Sequence, residues 1–213
     1  MTTPALLIFD LDGTLYRTES SFLPTMRRVF EQFGIGSPSD KEIMGRVGEP
    51  FSAFLDWAIE YGLPTDRDAL ARTIADAEYA SIRERGKLFP GVLETLRALR
   101  ERGHPVAICT NGDQQYTGVI LGKFGIRELF DEIRTHEDAK QSKTEMISEL
   151  RARWPDRPAV VIGDRYHDVE AGKANGCVVV GAAYGYGVPG ELKDADHCIT
   201  GFADLIDIID GTD

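Results

Sequence analysis

Four short apolar runs recur along the chain, and each ends at a small or polar residue. They are Leu6-Leu7-Ile8-Phe9 before Asp10, Val106-Ala107-Ile108-Cys109 before Thr110, Val160-Val161-Ile162-Gly163 before Asp164, and residues 177–181. Continuous rather than alternating apolarity is typical of strands that are covered on both faces. These runs therefore predict the central strands of a parallel sheet.

Helical patterns separate the predicted strands. The first predicted helix has Val92, Leu96 and Leu99 on one face and ends at Gly103. Two more are predicted at residues 114–124, ending at Gly125, and at residues 167–175, ending at Gly176. Ser142 with Glu145 fits a capping box, which predicts a helix from Lys143 to about Arg153. Alternating strands and helices imply right-handed crossovers and a doubly wound α/β sheet.

Residues 16–86 break this alternation. They show helical periodicity in three stretches, around Phe22 to Phe33, Phe51 to Ala58 and Leu70 to Ala77, but no convincing strand. We predict a small all-helical cap at 16–86, inserted after the first strand of an α/β core formed by 1–15 and 87–213. The Phe89-Pro90-Gly91 string supplies the helix-breaking residues where the chain returns to the core.

Composition narrows the classes of function. The 213 residues suit one core with an insertion, and the formal charge of −11 argues against sequence-independent binding to nucleic acid or anionic membranes. No apolar run approaches the length of a membrane span, and the N-terminus lacks a basic region before its apolar stretch, so a cytoplasmic location is expected. The cysteines Cys109, Cys177 and Cys198 lack metal-ligand spacing, and we expect them to be reduced and mostly buried.

Polar residues at the ends of the predicted strands should converge, because ligands collect at the carboxyl ends of parallel strands. These residues are Asp10, Asp12, Thr110, Asn111, Asp164 and Asp168, and Lys143 could join them. Buried carboxylates are costly without compensation, so a divalent cation is expected among them. Oxygen ligands without histidine or cysteine favour Mg²⁺ over zinc.

The strings Asp10-Leu11-Asp12-Gly13-Thr14-Leu15 and Thr110-Asn111-Gly112, then Lys143, then Gly163-Asp164-Arg165-Tyr166-His167-Asp168 resemble the four motifs of the haloacid dehalogenase superfamily. The match follows the family's order over nearly the whole chain, including a helical cap after the first strand. It implies a Rossmann-like core and Mg²⁺-dependent chemistry through a covalent aspartyl-phosphate.

The resemblance assigns a role to each matching residue. Asp10 would be the nucleophile and a metal ligand, and Asp12 the general acid and base, with its backbone carbonyl on the metal. The phosphoryl oxygens would be held by Thr110 and the backbone N–H groups of Asn111 and Gly112. Lys143 would neutralise charge, Asp164 would bind the metal directly, and Asp168 would bind it through water or position Lys143.

Two departures from the family pattern bear on these roles. Relatives commonly have proline after the lysine, whereas this chain has Thr144, and a second lysine, Lys140, stands nearby. In the dehalogenases that name the family, the position of Asp12 is not usually aspartate. Asp12 therefore favours phosphoryl transfer over carbon–halogen cleavage.

The expected function is hydrolysis of a small phosphorylated metabolite. The Tyr184-Gly185-Tyr186-Gly187 string resembles the phosphoglycolate phosphatase branch, which makes phosphoglycolate a candidate substrate. In the cap, the Gly45-Arg46-Val47-Gly48-Glu49 string is the candidate substrate loop, where Arg46 is either an anchor for a second anionic group or a solvated surface charge. A phosphomutase of the β-phosphoglucomutase type and a non-enzymatic phosphoacceptor or binding module remain alternatives, and the oligomeric state stays open.

Overall fold

The computed structural model describes residues 3–136 and 141–211, and within them six strands form one parallel sheet. The strands are β1 (Leu6–Phe9), β2 (Val106–Cys109), β3 (Glu132–Arg134), β4 (Ala159–Gly163), β5 (Val178–Ala182) and β6 (His197–Ile199). Their order across the sheet is β3-β2-β1-β4-β5-β6, and every neighbouring pair is parallel. The predicted α/β class and the four predicted strands are confirmed.

Helices cover both faces of the sheet, which explains the continuous apolar runs. The helices outside residues 16–86 are α5 (Val92–Glu101), α6 (Gln114–Phe124), α7 (Lys143–Arg153), α8 (Tyr166–Ala174) and α9 (Leu205–Gly211). Successive residues of β1 point to opposite layers, so Leu7 and Phe9 join one apolar cluster while Leu6 and Ile8 join the other. Every side chain of β1 is fully buried.

Four helices lie between β1 and α5. They are α1 (Glu19–Gln32), α2 (Asp40–Met44), α3 (Phe51–Glu60) and α4 (Arg67–Arg85). They share an apolar cluster of their own, which includes Met26, Phe30 and Ile74. Tyr16, Tyr79 and Ile82 instead pack into the cluster beneath the sheet, so the end of α4 is anchored to the α/β layer. The division at residues 15/16 and 86/87 stays a prediction.

The strands β3 and β6 and the helices α2 and α9 were not predicted. Each of the two strands has three residues and lies at a sheet edge, and all of their residues except Ile199 are at least partly exposed, so no apolar run marks them. The five-residue helix α2 is too short for a periodic pattern, although Ser39 forms a capping box with Glu42. Cys109 and Cys177 are buried as expected, but Cys198 is exposed because β6 is an edge strand.

None of the helices in the described part of the chain is long and apolar enough to cross a bilayer.

Candidate active site

The carboxyl ends of three adjacent central strands bring the predicted site residues to one edge of the sheet. Asp10 follows β1, Thr110 follows β2, and Asp164 follows β4, and β1 lies between the other two. The strand order reverses between β1 and β4, because β2 and β3 lie on one side of β1 and β4 to β6 lie on the other. Open α/β folds bind their ligands at the strand ends next to such a point. The backbone N–H of Asp10 donates to the carbonyl of Ile162 (2.9 Å), which fixes Asp10 beside the end of β4.

Three of the predicted carboxylates form a compact buried cluster. Asp10, Asp164 and Asp168 each offer one oxygen, and these oxygens lie within 4.8 Å of one another. Oδ2 of Asp164 accepts a hydrogen bond from the backbone N–H of Tyr186 (2.6 Å), but its buried Oδ1 has no hydrogen-bond partner among the described residues. An unpaired buried carboxylate oxygen is costly, so the cluster fits a divalent cation held by hard oxygen ligands.

Two glycines allow the backbone to close around Asp164. Gly13 has a φ of 81°, and an added Cβ would overlap the Asp164 carboxylate. At Gly185 an added Cβ would overlap Asp164 and the carbonyl of Gly13. Gly13 and Gly185, one in each of the two motif strings, are therefore required by the packing around the Asp164 side chain.

Lys143 completes the cluster from the first turn of α7. Its ammonium Nζ lies 2.5 Å from Oδ1 of Asp10 and 2.6 Å from Oδ1 of Asp168, the latter an ion pair rather than an aligned hydrogen bond. The predicted capping box is present, with Ser142 Oγ accepting from Glu145 N–H, and the predicted helix of Lys143 to Arg153 is confirmed. Lys140 lies outside the described residues, and Thr144 in place of proline leaves the helix start intact.

Burial and charge shift the titration of this cluster. Burial raises the pKa of Asp10 to about 7, against the opposing effect of Lys143, and Asp168 adds to the rise. Burial also raises the pKa of Asp164 well above its usual range, with Asp10 and Asp168 contributing. Burial alone would lower the pKa of Lys143, but Asp10 and Asp168 together raise it above its usual value. The lysine is thus held as a cation beside Asp10.

The carboxylate of Asp12 is turned away from the cluster. Its Oδ1 accepts hydrogen bonds from the hydroxyls of Thr18 (2.6 Å) and Tyr116 (2.5 Å). Burial raises the pKa of Asp12, while these two hydrogen bonds oppose the rise. A raised pKa favours a carboxyl group that can give up and take back a proton. Neither Thr18 nor Tyr116 was identified from the sequence.

The turn after β2 connects the cluster to the helices of residues 16–86. Thr110 is buried, and its Oγ1 accepts a hydrogen bond from the backbone N–H of Gly112 (3.1 Å). The side-chain amide of Asn111 donates to the carbonyl of Gly48 (2.9 Å). Asn111 therefore also holds the predicted substrate loop against the end of β2.

A second contact to this loop comes from Arg165, which sequence reasoning did not single out. Its guanidinium donates to the carbonyl of Val47, and its Nε donates to Oε2 of Glu191 (2.8 Å). Arg165 and Asn111 together fasten the loop over the carboxyl ends of β2 and β4. The place of Arg165 directly after Asp164 is the one feature of the sequence from which its role could have been suspected.

A cleft opens between the four helices and the strand ends, and it is lined by both polar and aromatic side chains. Asp10 and Asp12 lie in its wall together with Arg46, Phe22, Phe54 and Glu78. The guanidinium of Arg46 lies 3.5 Å from Oε1 of Glu49 and 5.6 Å from the ring centroid of Trp57. Arg46 thus lines the cleft, but its guanidinium already lies next to the carboxylate of Glu49 in the same loop.

Comparison with known proteins agrees with this geometry. The family described as haloacid dehalogenase-like hydrolase matches residues 7–182. The chain belongs to this family of hydrolases. The predicted family and enzyme class are confirmed, since the match spans the strands that carry Asp10, Thr110 and Asp164.

Relatives that resemble the chain over almost its full length carry two different activities in their names. A phosphoglycolate phosphatase of Haemophilus influenzae is 25% identical, over 96% of this chain and 97% of its own. Pyrophosphatase PpaX of Halalkalibacterium halodurans is 27% identical, over 95% of each chain. The crystal structure of a predicted phosphoglycolate phosphatase from Haemophilus somnus 129pt has a TM-score of 0.87 at 27% identity, covering 98% of this chain and 99% of that chain.

Proposed function

We propose that the protein is a Mg²⁺-dependent phosphomonoesterase that works through an aspartyl-phosphate on Asp10. The observation that carries the proposal is the ion pair in the buried carboxylate cluster, where Lys143 Nζ lies 2.5 Å from Oδ1 of Asp10 and Asp10 lines the cleft. A carboxylate held this way can attack phosphorus while positive charge around it offsets the charge of the incoming phosphoryl group. Its substrate is a small phosphorylated metabolite.

The first step transfers the phosphoryl group to the enzyme. One carboxylate oxygen of Asp10 forms a bond to phosphorus as the bond between phosphorus and the leaving oxygen breaks. Asp12 gives its proton to that oxygen, so the leaving group departs as a neutral alcohol. Hydrogen bonds from Thr18 and Tyr116 hold the Asp12 carboxyl group in place for this transfer.

The second step returns Asp10 to its free form. Asp12, now ionised, takes a proton from water, and the water oxygen bonds to phosphorus as the bond to Asp10 breaks. The Thr110 hydroxyl and the backbone N–H groups of Asn111 and Gly112 donate to the phosphoryl oxygens in both steps, with the Gly112 N–H shared between Thr110 Oγ1 and the phosphoryl group. Lys143 remains paired with Asp10.

The metal site is proposed from Asp10, Asp164 and Asp168, with the backbone carbonyl of Asp12 as a further ligand. The unpartnered Oδ1 of Asp164 and the all-oxygen donor set fit Mg²⁺. When bound, the ion supplies positive charge opposite the transferred phosphoryl group. Asp168 has a second part in this arrangement, since it also binds the ammonium of Lys143.

The helices of residues 16–86 are proposed to select the leaving group, because the cleft above Asp10 and Asp12 is walled by them. Phosphoglycolate is the reference substrate for assays, given the names of the relatives. Its carboxylate would have to pair with Arg46, whose guanidinium already lies 3.5 Å from Glu49. A phosphomutase would differ only in the acceptor of the phosphoryl group, and no feature of the described cleft favours a sugar acceptor over water.

Replacement of the nucleophile tests the proposal. Asp10→Asn should abolish hydrolysis of p-nitrophenyl phosphate in Mg²⁺ while leaving the circular dichroism spectrum unchanged. The matched control is Asp156→Asn, which removes one carboxylate from an exposed position and should keep full activity. Turnover by Asp10→Asn close to that of the wild type would refute the proposal, and so would full wild-type activity in excess EDTA.

A further inference from the structure

The apolar stripe of α4 contains one carboxyl group. Leu70, Ile74, Glu78 and Ile82 recur every four residues along one face of this helix, and all four are buried. Glu78 is only 7% exposed. An acidic residue in the position of a core leucine is unusual, because glutamate is almost never fully buried unless it is paired.

The Glu78 carboxyl group lacks a compensating partner in the described part of the chain. Within residues 3–136 and 141–211, its carboxyl group makes no hydrogen bond and no ion pair, and the charged groups that act on it most are the acids Asp12 and Asp113. Burial raises the pKa of Glu78 well above its usual range, and both acids add to the rise. An acid on the core-facing stripe of the helix, at the wall of the cleft, points to a use outside the packing of the helix.

The Glu78 side chain lines the cleft that holds Asp10 and Asp12. The same cleft is also lined by the apolar side chains of Phe22, Phe54 and Ala75, and by Tyr116, whose hydroxyl donates to Asp12. A ligand whose phosphoryl group lies at Asp10 and whose leaving oxygen lies at Asp12 would extend its remaining part toward this wall.

The charge of the cleft distinguishes between possible leaving groups. Among its described lining residues, Arg46 is the sole base, whereas carboxyl groups come from Asp10, Asp12, Glu49, Glu78 and Asp113. Arg46 is already 3.5 Å from Glu49, and Lys143 is already paired with Asp10 and Asp168. A leaving group with a carboxylate would add negative charge to this acidic cleft, while an ammonium group beside Glu78 would favour the ionised carboxylate and pair with it.

We propose that Glu78 is a specificity-determining residue that binds an ammonium group on the leaving alcohol, so that amino-alcohol phosphates are the preferred substrate class. This inference rests on the proposed function, since it concerns the leaving group of the same reaction. It predicts that a second carboxylate on the substrate, as in phosphoglycolate, is disfavoured.

The test compares three esters of similar size in Mg²⁺, namely 2-aminoethyl phosphate, 2-hydroxyethyl phosphate and phosphoglycolate. In the wild type, kcat/KM for the amino ester should exceed that for each of the others by about tenfold or more, the effect of a charged hydrogen bond in a partly buried site. In Glu78→Gln the ratio of amino to hydroxy ester should fall to about one. Asp76→Asn, which removes an exposed carboxylate from the same helix, should leave the ratio unchanged.

A stability measurement separates this role from a structural one. If Glu78 is kept for binding, Glu78→Gln should unfold at the same urea concentration as the wild type or a higher one. A clear loss of stability in Glu78→Gln, together with an unchanged preference, would overturn the inference. So would a wild type that hydrolyses 2-hydroxyethyl phosphate or phosphoglycolate as well as the amino ester. If the protein hydrolysed none of the three esters and did not hydrolyse p-nitrophenyl phosphate either, the proposed function itself would be overturned, and this inference with it.

Discussion

Replacing Lys143 with methionine should expose how strongly the carboxylate cluster depends on one cation. The ammonium lies 2.5 Å from Asp10 and 2.6 Å from Asp168, and the side chains of the three residues are 8%, 9% and 1% exposed. Removing one member of a buried ion pair costs about 3–5 kcal/mol, because the remaining charge is left without a partner. Here two carboxylates lose their partner at once, and methionine fills the space of the lysine stem.

The expected result of Lys143→Met is a free energy of unfolding about 3–5 kcal/mol below that of the wild type in EDTA. A divalent cation bound by the same carboxylates should recover part of this loss, so Mg²⁺ should stabilise the variant more than it stabilises the wild type. The assay is urea unfolding followed by tryptophan fluorescence, with and without Mg²⁺. In the same preparation kcat should fall by about 100-fold or more, because the positive charge of the Lys143 ammonium no longer stabilises the phosphoryl group at Asp10.

The matched control is Lys193→Met, which removes an exposed lysine and should change stability by no more than about 0.5 kcal/mol. If Lys143→Met lost less than about 1 kcal/mol in EDTA and kept its activity, Lys143 would be neither a buried partner of Asp10 nor part of the site. The reasoning from burial and distance would then be refuted.

Two further substitutions test the supports of the site. Tyr116→Phe removes one of the two hydroxyls that donate to Asp12, and we expect kcat to fall about tenfold with KM little changed; an unchanged kcat would show that Tyr116 does not position the acid. Ser142→Ala removes the N-cap of α7, and we expect it to lower the free energy of unfolding by about 1 kcal/mol and to reduce kcat, because Lys143 is the first residue of that helix. Asp66→Ala removes the N-cap of α4 and should lower stability by a similar amount while leaving kcat unchanged. Equal effects of both cap variants on kcat would contradict the placement of Lys143 by its helix.

The site residues at the strand ends could be predicted from the sequence for a physical reason. Asp10, Thr110 and Asp164 each follow a strand buried on both faces, and a buried strand leaves a continuous apolar run that ends where the polar residue begins. Because the three strands are adjacent and parallel, these ends meet. The capping box at Ser142 carried comparable information, since it fixed Lys143 at the start of a helix.

Most of the missed contacts at the site could not be predicted in the same way, because they join distant parts of the chain. Tyr116 and Asp12 are 104 residues apart, and Arg165 and Val47 are 118 apart. No local pattern encodes such a contact. The edge strands β3 and β6 were missed for a different reason, since each has only three residues, all at least partly exposed except Ile199, and leaves no apolar run to detect.

Glu78 lies between these two cases. A single glutamate within a helical pattern is usually a solvated surface charge, and the sequence analysis passed over it. Its spacing of four residues from both Ile74 and Ile82 is nevertheless a local signal that it occupies the buried face of α4. That none of the described residues pairs with it depends on the surrounding elements and could be seen only in the structure.

Trapping of the phosphorylated enzyme tests the central claim most directly. The wild type would be mixed with p-nitrophenyl phosphate and Mg²⁺, quenched in acid during turnover and reduced with borohydride, which converts an aspartyl-phosphate to homoserine. We expect peptide mass spectrometry to find homoserine at position 10 and at no other aspartate, and not to find it in Asp10→Asn. Homoserine at another aspartate, or steady hydrolysis without any modified residue, would contradict covalent catalysis by Asp10.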